Sequence, residues 1–201
     1  AQLAVPAVHS GPRSAGGTLS SVDSDNYGGG HSAVDPLISR GRRKIAHITG
    51  RLDVYGAQRR ADGYRDALRE AGQEVDERLI EPGDFTEEGG RRAMTNLLDR
   101  CPDLDAVFAG SDVMAAGARQ VLREKGRRIP DDVALVGYDD SAIARHMDPP
   151  LTSVRQPIEE MGRRMIDLLL EEIADRRPAV SRGLERRQVV LATELETRAS
   201  S

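Results

Sequence analysis

The chain has 201 residues, with 29 basic and 33 acidic side chains and a formal net charge of −4. Charges of both signs are interleaved along it rather than gathered into a basic stripe, which argues against a free-standing nucleic-acid binder. No apolar run approaches the roughly 18 residues a bilayer helix needs, and no segment reads as a cleavable signal peptide, which excludes a helical membrane anchor. The hydrophobic fraction of 38% enters the ordinary globular band of roughly 45–50% once the 20 glycines are counted. The length suits one large domain or two small ones. The single cysteine, Cys101, excludes an internal disulfide, as expected of an intracellular chain, and the expected location is the cytoplasm. Ala1 to Val8 begin in strand character with no initiator Met, as a processed or truncated chain would.

Leu3 to Val8 read as a short strand, Ser10 to Ser21 as a Gly, Ser and Pro rich loop, and Leu19 to Val22 as a second strand. Regular alternation starts at Ile45 to Thr49, a strand, followed by Ala57, Ala61, Tyr64, Leu68 and Ala71 at helical spacing and closed by Gly72. Arg78 to Ile80 form the next strand. Thr86 caps a helix with Glu87 and Glu88 in its first turn and Met94, Leu97, Leu98 and Cys101 on its buried face. A third unit runs from the strand Asp105 to Ala109 into a helix capped by Ser111, with Val113, Met114, Ala118, Val121 and Leu122 inside and Gly126 as its stop. Val133 to Gly137 is the fourth strand of the series. Strand and helix alternate three times with strands free of polar interruption, the signature of parallel crossovers covered on both faces, so the fold class is α/β. Asp148-Pro149-Pro150 breaks the pattern, Leu151 to Arg155 is extended, and Pro157 opens a long helix with Ile158, Met161, Met165, Leu168, Leu169 and Ile173 on one face. A strand pair or single strand closes the chain between Gln188 and Thr197.

Ligands of open parallel sheets bind outside the carboxyl ends of the strands. There this sequence collects Arg60 in the opening turn of a helix, then Asp84-Phe85, Ser111-Asp112 and Tyr138-Asp139-Asp140. An arginine, an aromatic, a hydroxyl and a carboxylate suit a neutral polyol: guanidinium and carboxylate share hydroxyl hydrogen bonds, and the aromatic covers the apolar face of a ring. No activated nucleophile is evident, so no catalytic residue and no enzyme activity is expected. The same residues also read as loop polars and caps, since Ser111 is a good helix cap and Asp84 a good turn residue whatever the ligand.

The stretches from Val22 to Gly29, Arg60 to Leu68, Ser111 to Gly117, Ile129 to Asp140 and Pro150 to Pro157 (VDSDNYGG, RADGYRDAL, SDVMAAG, IPDDVALVGYDD, PLTSVRQP) resemble, in order, the effector-binding core of the lactose/galactose-repressor (LacI/GalR) family. The resemblance implies a type I periplasmic-binding-protein-like module of parallel sheets with helices on both faces. It implies two subdomains, a cleft between them for a small effector, a homodimer, and operator DNA read by an amino-terminal helix-turn-helix. On the family pattern residue 1 falls near the middle, so the N-terminal subdomain is expected to be incomplete and the less stable half. The headpiece is expected to be absent, and operator binding by this chain with it. The expected divisions are 1–41 for the partial N-terminal subdomain, 42–153 for the effector-binding subdomain, 154–178 for a helix returning to the first, and 179–201 for terminal strands and tail.

By the same resemblance Arg60 falls on the arginine that holds effector hydroxyl or carbonyl groups, Asp139 on the aspartate facing it and Phe85 on an aromatic lid. Ser111 replaces the Asn of many sugar-responsive members, and Val54 and Tyr55 lie in the loop that varies with ligand identity. The effector expected is a sugar, with no cofactor, metal or membrane partner. A transport-type solute-binding protein of the same fold is the rival reading. The residues encoded upstream of Ala1 separate the two, a helix-turn-helix marking the regulator and a signal peptide the transporter.

A nucleotide-dependent enzyme is the outside reading. Gly28 to Ala33 fit the dinucleotide pattern G-x-G-x-x-G/A, but polar Asp23 to Asn26 precede them and Pro36 interrupts the helix that should follow. These glycines read instead as a turn, with Asp35 capping a short helix from Pro36, a departure from the helix the family carries through this point. His9, His31, His47 and His146 lack metal-ligand spacing, and His47 reads as a packed strand residue.

Overall fold

The computed structural model of the chain describes residues 6–11, 19–174 and 187–201. The elements in chain order are β1 (Val8–Ser10), β2 (Ser20–Ser24), α1 (Asn26–Ser39), β3 (Ile45–Thr49), α2 (Tyr55–Glu70), β4 (Ile80–Pro82), α3 (Glu87–Arg100), β5 (Ala106–Ala109) and α4 (Asp112–Glu124). They continue with β6 (Ala134–Asp139), α5 (Ala142–His146), β7 (Thr152–Arg155), α6 (Ile158–Ala174), β8 (Gln188–Leu191) and β9 (Glu194–Glu196). By its internal contacts the chain forms two units, residues 1–25 with 157–192, and residues 26–156 with 193–201. The start of the first expected strand, most of the loop that follows it, and the end of the expected returning helix lie outside the described residues.

In the larger unit the sheet order is β4-β3-β5-β6-β7-β9, all parallel except β9, which runs antiparallel to β7. Side chains alternate along each strand, so that Ile48, Val107 and Leu135 face one core with Met94, Leu97, Met114 and Leu122 of α3 and α4. Ile45, Phe108, Val136 and Tyr138 face the other with Leu37 of α1 and Tyr64 and Leu68 of α2. Strands covered on both faces need apolar residues throughout, which is why their sequences carry so little alternation. The caps stand as expected: Thr86 accepts from the Gly89 amide, Ser111 from the Met114 amide, and Gly72 and Gly126 take positive φ beyond α2 and α4. Val113 is half-buried rather than inside. Arg78 and Leu79 belong to a 3-10 turn, because the Asp76 carboxylate accepts from the Arg78 amide and closes it, so β4 begins only at Ile80.

The expected turn at Gly28 to Gly30 is instead the interior of α1, which runs on through Pro36. Proline removes one helix hydrogen bond and crowds the preceding turn, at about 3 kcal/mol in a helix interior. Ala33, Val34 and Leu37, all fully buried, offset it at roughly 1.5–3 kcal/mol for each large side chain. The glycines serve helix contact: a Cβ on Gly30 would lie 2.3 Å from the Arg60 carbonyl oxygen, and one on Gly63 would lie 2.2 Å from that of Tyr27. Only glycine permits so close an approach of α1 to α2. Gly63→Ala therefore forces the two helices apart and should lower unfolding stability by about 2 to 3 kcal/mol, measured by urea denaturation. A change within about 0.5 kcal/mol would mean that the contact is loose.

The smaller unit has a parallel sheet ordered β1-β2-β8, with Val22 paired to Val189 and to Ser10. Pro157 precedes α6 as expected, and its carbonyl accepts from the Met161 amide. Met161 and Leu168 of α6 pack on Val22, with Val8, Val189 and Leu191 around them. Ile158 and Ile173, expected on that face, are 59% and 58% exposed. At 100° per residue Ile173 lies beyond the arc of Met161, Met165 and Leu168, whereas Ile158 shares that arc but is the first residue of α6. The closing strands are two and do not pair with each other: β8 joins β2, and β9 joins β7.

Candidate functional site

The carboxyl edge of the six-stranded sheet gathers its polar groups around one guanidinium. Arg60, in the second turn of α2, is only 9% exposed. Its Nε donates to Asn26 Oδ1 at 2.8 Å, and its Nη1 donates to the carbonyl of Gly110, just past β5, at 2.6 Å. Its plane lies over the Tyr138 ring, 3.6 Å from the ring centroid. Three elements thus orient one charge: α1 through Asn26, the loop after β5 through Gly110, and β6 through Tyr138. An arginine held on two acceptors and an aromatic face is pre-organised, so it can meet a ligand oxygen with little loss of side-chain entropy.

Asp139 closes β6 beside Tyr138, with φ at +113°. Its Oδ1 accepts from Gln156 Nε2 at 2.6 Å. Burial pushes its carboxyl up to about 6, against the pull of the Arg60 charge and the Gln156 hydrogen bond. At neutral pH it is ionised and within the field of Arg60, so the structure brings these two together. Ser111, 4% exposed, follows the Gly110 acceptor directly and caps α4, accepting from the Met114 amide at 3.2 Å. Accepting that bond leaves its hydroxyl proton as a donor.

Phe85 stands half-buried with φ at +66°, its ring so close over Gly50 that a Cβ there would lie 2.0 Å from it. It also packs on the core beneath α3 and α4, so it is partly a plug and partly a cover for the strand ends. Tyr55, at the start of α2, is 41% exposed among Leu52 and Val54 on the rim. Among the described residues no hydrogen bond ties Phe85 or Tyr55 to the Arg60 group. Asp84 is a turn residue: it accepts from the amide and hydroxyl of Thr86 and from Arg92, which hold its carboxyl down near 2.

Two more carboxylates behind the edge are fully enclosed. Asp112 is 0% exposed and accepts from the Ser153 hydroxyl and the Ser141 amide, while burial raises its pKa. The Asp140 side chain is 1% exposed, between Arg155 and Arg198. Asn26, Gly110, Tyr138 and Gln156 complete the arrangement without having been singled out for these roles in the sequence. Asn26, Tyr138 and Gln156 do sit inside the family-like stretches, which was the available signal. Gly28 to Ala33 lie within α1 and form no phosphate loop. His47 is buried in β3, its Nδ1 donating to the Phe108 carbonyl at 2.9 Å between the rings of Phe108 and Tyr64.

Residues 34–201 match the model of the periplasmic binding protein-like domain family. The chain is 55% identical over 155 residues to the HTH-type transcriptional regulator CelR of Thermobifida fusca, covering 77% of this chain and 46% of that protein. The chain spans about half the length of the curated relatives it matches. Among solved structures, a transcriptional regulator CelR-cellobiose complex is similar with a TM-score of 0.90 and 49% identity, over 96% of this chain and 58% of that one. A regulatory protein of the LacI family from Chloroflexus aggregans is similar with a TM-score of 0.87 and 35% identity, over 98% and 68%.

Proposed function

The chain belongs to the periplasmic-binding-protein-like domain family, where its relatives are LacI-family regulators, and from that membership we propose that it is the sugar-sensing part of a transcriptional regulator. The observation that carries the reading is that a pre-organised Arg60 and a buried Asp139 within its electrostatic field stand at one sheet edge, in a chain so similar to the regulator solved with cellobiose. In this role the guanidinium donates to ring or hydroxyl oxygens of the sugar and the carboxylate accepts from its hydroxyls. The Ser111 hydroxyl donates a further bond, and Phe85 and Tyr55 lie against the CH faces of the rings. The regulator works in the cytoplasm as a homodimer and meets operator DNA through an N-terminal headpiece. Sugar binding shifts its conformational equilibrium, and the affinity for operator changes by the differential affinity of the sugar for the two states.

Calorimetric titration with a sugar panel headed by cellobiose, beside a panel of purines, tests the reading. Heat is expected from sugars alone. Heat from purines only would remove the sugar assignment.

A further inference from the structure

The backbone that carries Asp139 lies where side-chain-bearing residues are rarely found: Asp139 has φ +113° and Asp140 has φ +50°. Such a turn persists only if its surroundings over-determine it, and here they do so on several sides. The Ser141 amide donates to Asp112 Oδ2 at 2.7 Å. The Asp140 amide donates at 3.0 Å to Ser153 Oγ, which itself donates to Asp112 Oδ1 at 2.6 Å. The Asp140 carboxylate takes Arg155 Nε at 2.9 Å and Arg198 Nη2 at 2.5 Å, with Arg145 farther off at 3.9 Å.

Arg198 reaches this turn from the last residues of the chain, and those residues are themselves fastened. Its amide donates to Thr152 Oγ1 at 2.8 Å, and its Nη1 donates to the Leu151 carbonyl at 2.7 Å. Two residues on, Ser200 is 1% exposed. Its hydroxyl donates to the Leu135 carbonyl at 2.6 Å and accepts from the Thr152 amide at 2.8 Å, while its carbonyl accepts from the Leu135 amide at 2.7 Å. The segment after β9 is thus bonded to both β6 and β7, and its arginine spans to the carboxyl end of β6.

We propose that Asp140 and Arg198 are positioning residues for the effector site: their buried ion pair, backed by Arg155 and by the Asp112–Ser153 bridge, holds the Asp139 turn in its left-handed form and so aims the Asp139 carboxylate. The consequence for binding rests on the reading of Asp139 as a sugar contact, whereas the consequence for the turn stands without it. An exposed ion pair would contribute little, but this carboxylate is enclosed, and Arg155 holds only its Oδ2, so removing Arg198 takes away the donor that the buried Oδ1 has here.

The test compares the protein with Arg198→Met and Arg198→Lys by amide hydrogen exchange and by cellobiose titration. In Arg198→Met the amides of Asp140 and Ser141 should exchange at least tenfold faster while those of β5 stay within twofold, and cellobiose affinity should fall tenfold or more. Arg198→Lys, which keeps a cation within reach of Asp140, should recover most of both effects. Unchanged exchange at the two amides overturns the proposal, and so does acceleration of β5 in step with them, which would make Arg198 a general stabiliser. Should Arg198→Met fail to fold, Asp140→Asn is judged by the same two amides. A protein that gives no heat with cellobiose or any other sugar refutes the sugar reading, while the exchange result still decides the fate of the turn.

Discussion

Replacing Asp139 by Asn is expected to weaken sugar binding and to strengthen the fold at the same time. The binding loss follows from removing one partner of a charge-assisted hydrogen bond, about 1.5–3 kcal/mol, or roughly tenfold to a hundredfold in affinity. The gain in stability follows from the direction of the pKa. Burial raises the Asp139 carboxyl from 3.8 to about 6, so the folded state binds the proton more tightly than the unfolded chain does. The stabilisation that protonation supplies is complete below the unfolded value and lost as the pH rises through about 6, which leaves the ionised residue a burden at neutral pH. Two units at 1.36 kcal/mol each set that burden at up to about 3 kcal/mol. An asparagine is neutral throughout and escapes it. Urea denaturation at pH 7.5 should show the variant more stable, and titration should show it weaker for sugar. A variant that is less stable, or that binds as before, would place Asp139 among structural residues rather than in the site.

His47 has the opposite sign. Enclosed between Phe108 and Tyr64, it has its pKa pushed down to about 4 by desolvation, only partly offset by its bond to the Phe108 carbonyl, with the Arg65 and Arg60 charges lowering it further. The unfolded chain therefore takes up this proton first. The stability is intact above about 6.5 and is lost as the pH falls toward 4, by roughly 2 kcal/mol at pH 5. In the wild type the relief of Asp139 over nearly the same range masks part of this loss, so the comparison must be with a variant. His47→Gln loses packing at every pH, but its stability deficit relative to wild type should shrink by about 2 kcal/mol between pH 7 and pH 5. A deficit that stays constant would mean that His47 does not titrate below its ordinary range.

Much of this was legible because the alternation of strand and helix is a local signal. Ile45 to Thr49, Ala106 to Ala109 and the caps at Thr86 and Ser111 announce themselves within a few residues. The helix α1 was not legible. Gly28 to Gly30 and Pro36 read locally as a turn and a helix start, whereas their roles are set by a second helix some thirty residues away that needs the room and supplies the buried surface. The site divides in the same way. Arg60, Asp139, Ser111 and Phe85 could be placed near one sheet edge by the rule for strand ends, Tyr55 came only from the family resemblance, and the structure sets Asp139 within the electrostatic field of Arg60. What holds them was hidden: Asn26 lies 34 residues from Arg60, Gly110 lies 50, and Gln156 meets Asp139 across 17, bonds that no spacing rule anticipates. The Ser111 hydroxyl was open to both a cap and a ligand reading, and the cap is the bond the structure contains.

The central claim, that Arg60 and Asp139 hold a sugar at the carboxyl edge of the six-stranded sheet, is tested most directly by a crystal structure of the protein with cellobiose bound. The account predicts sugar hydroxyls within hydrogen-bond distance of the Asp139 carboxylate and the Arg60 guanidinium, with the Arg60 bonds to Asn26 and Gly110 kept. A sugar bound elsewhere, or bound at this edge without touching either residue, would contradict it.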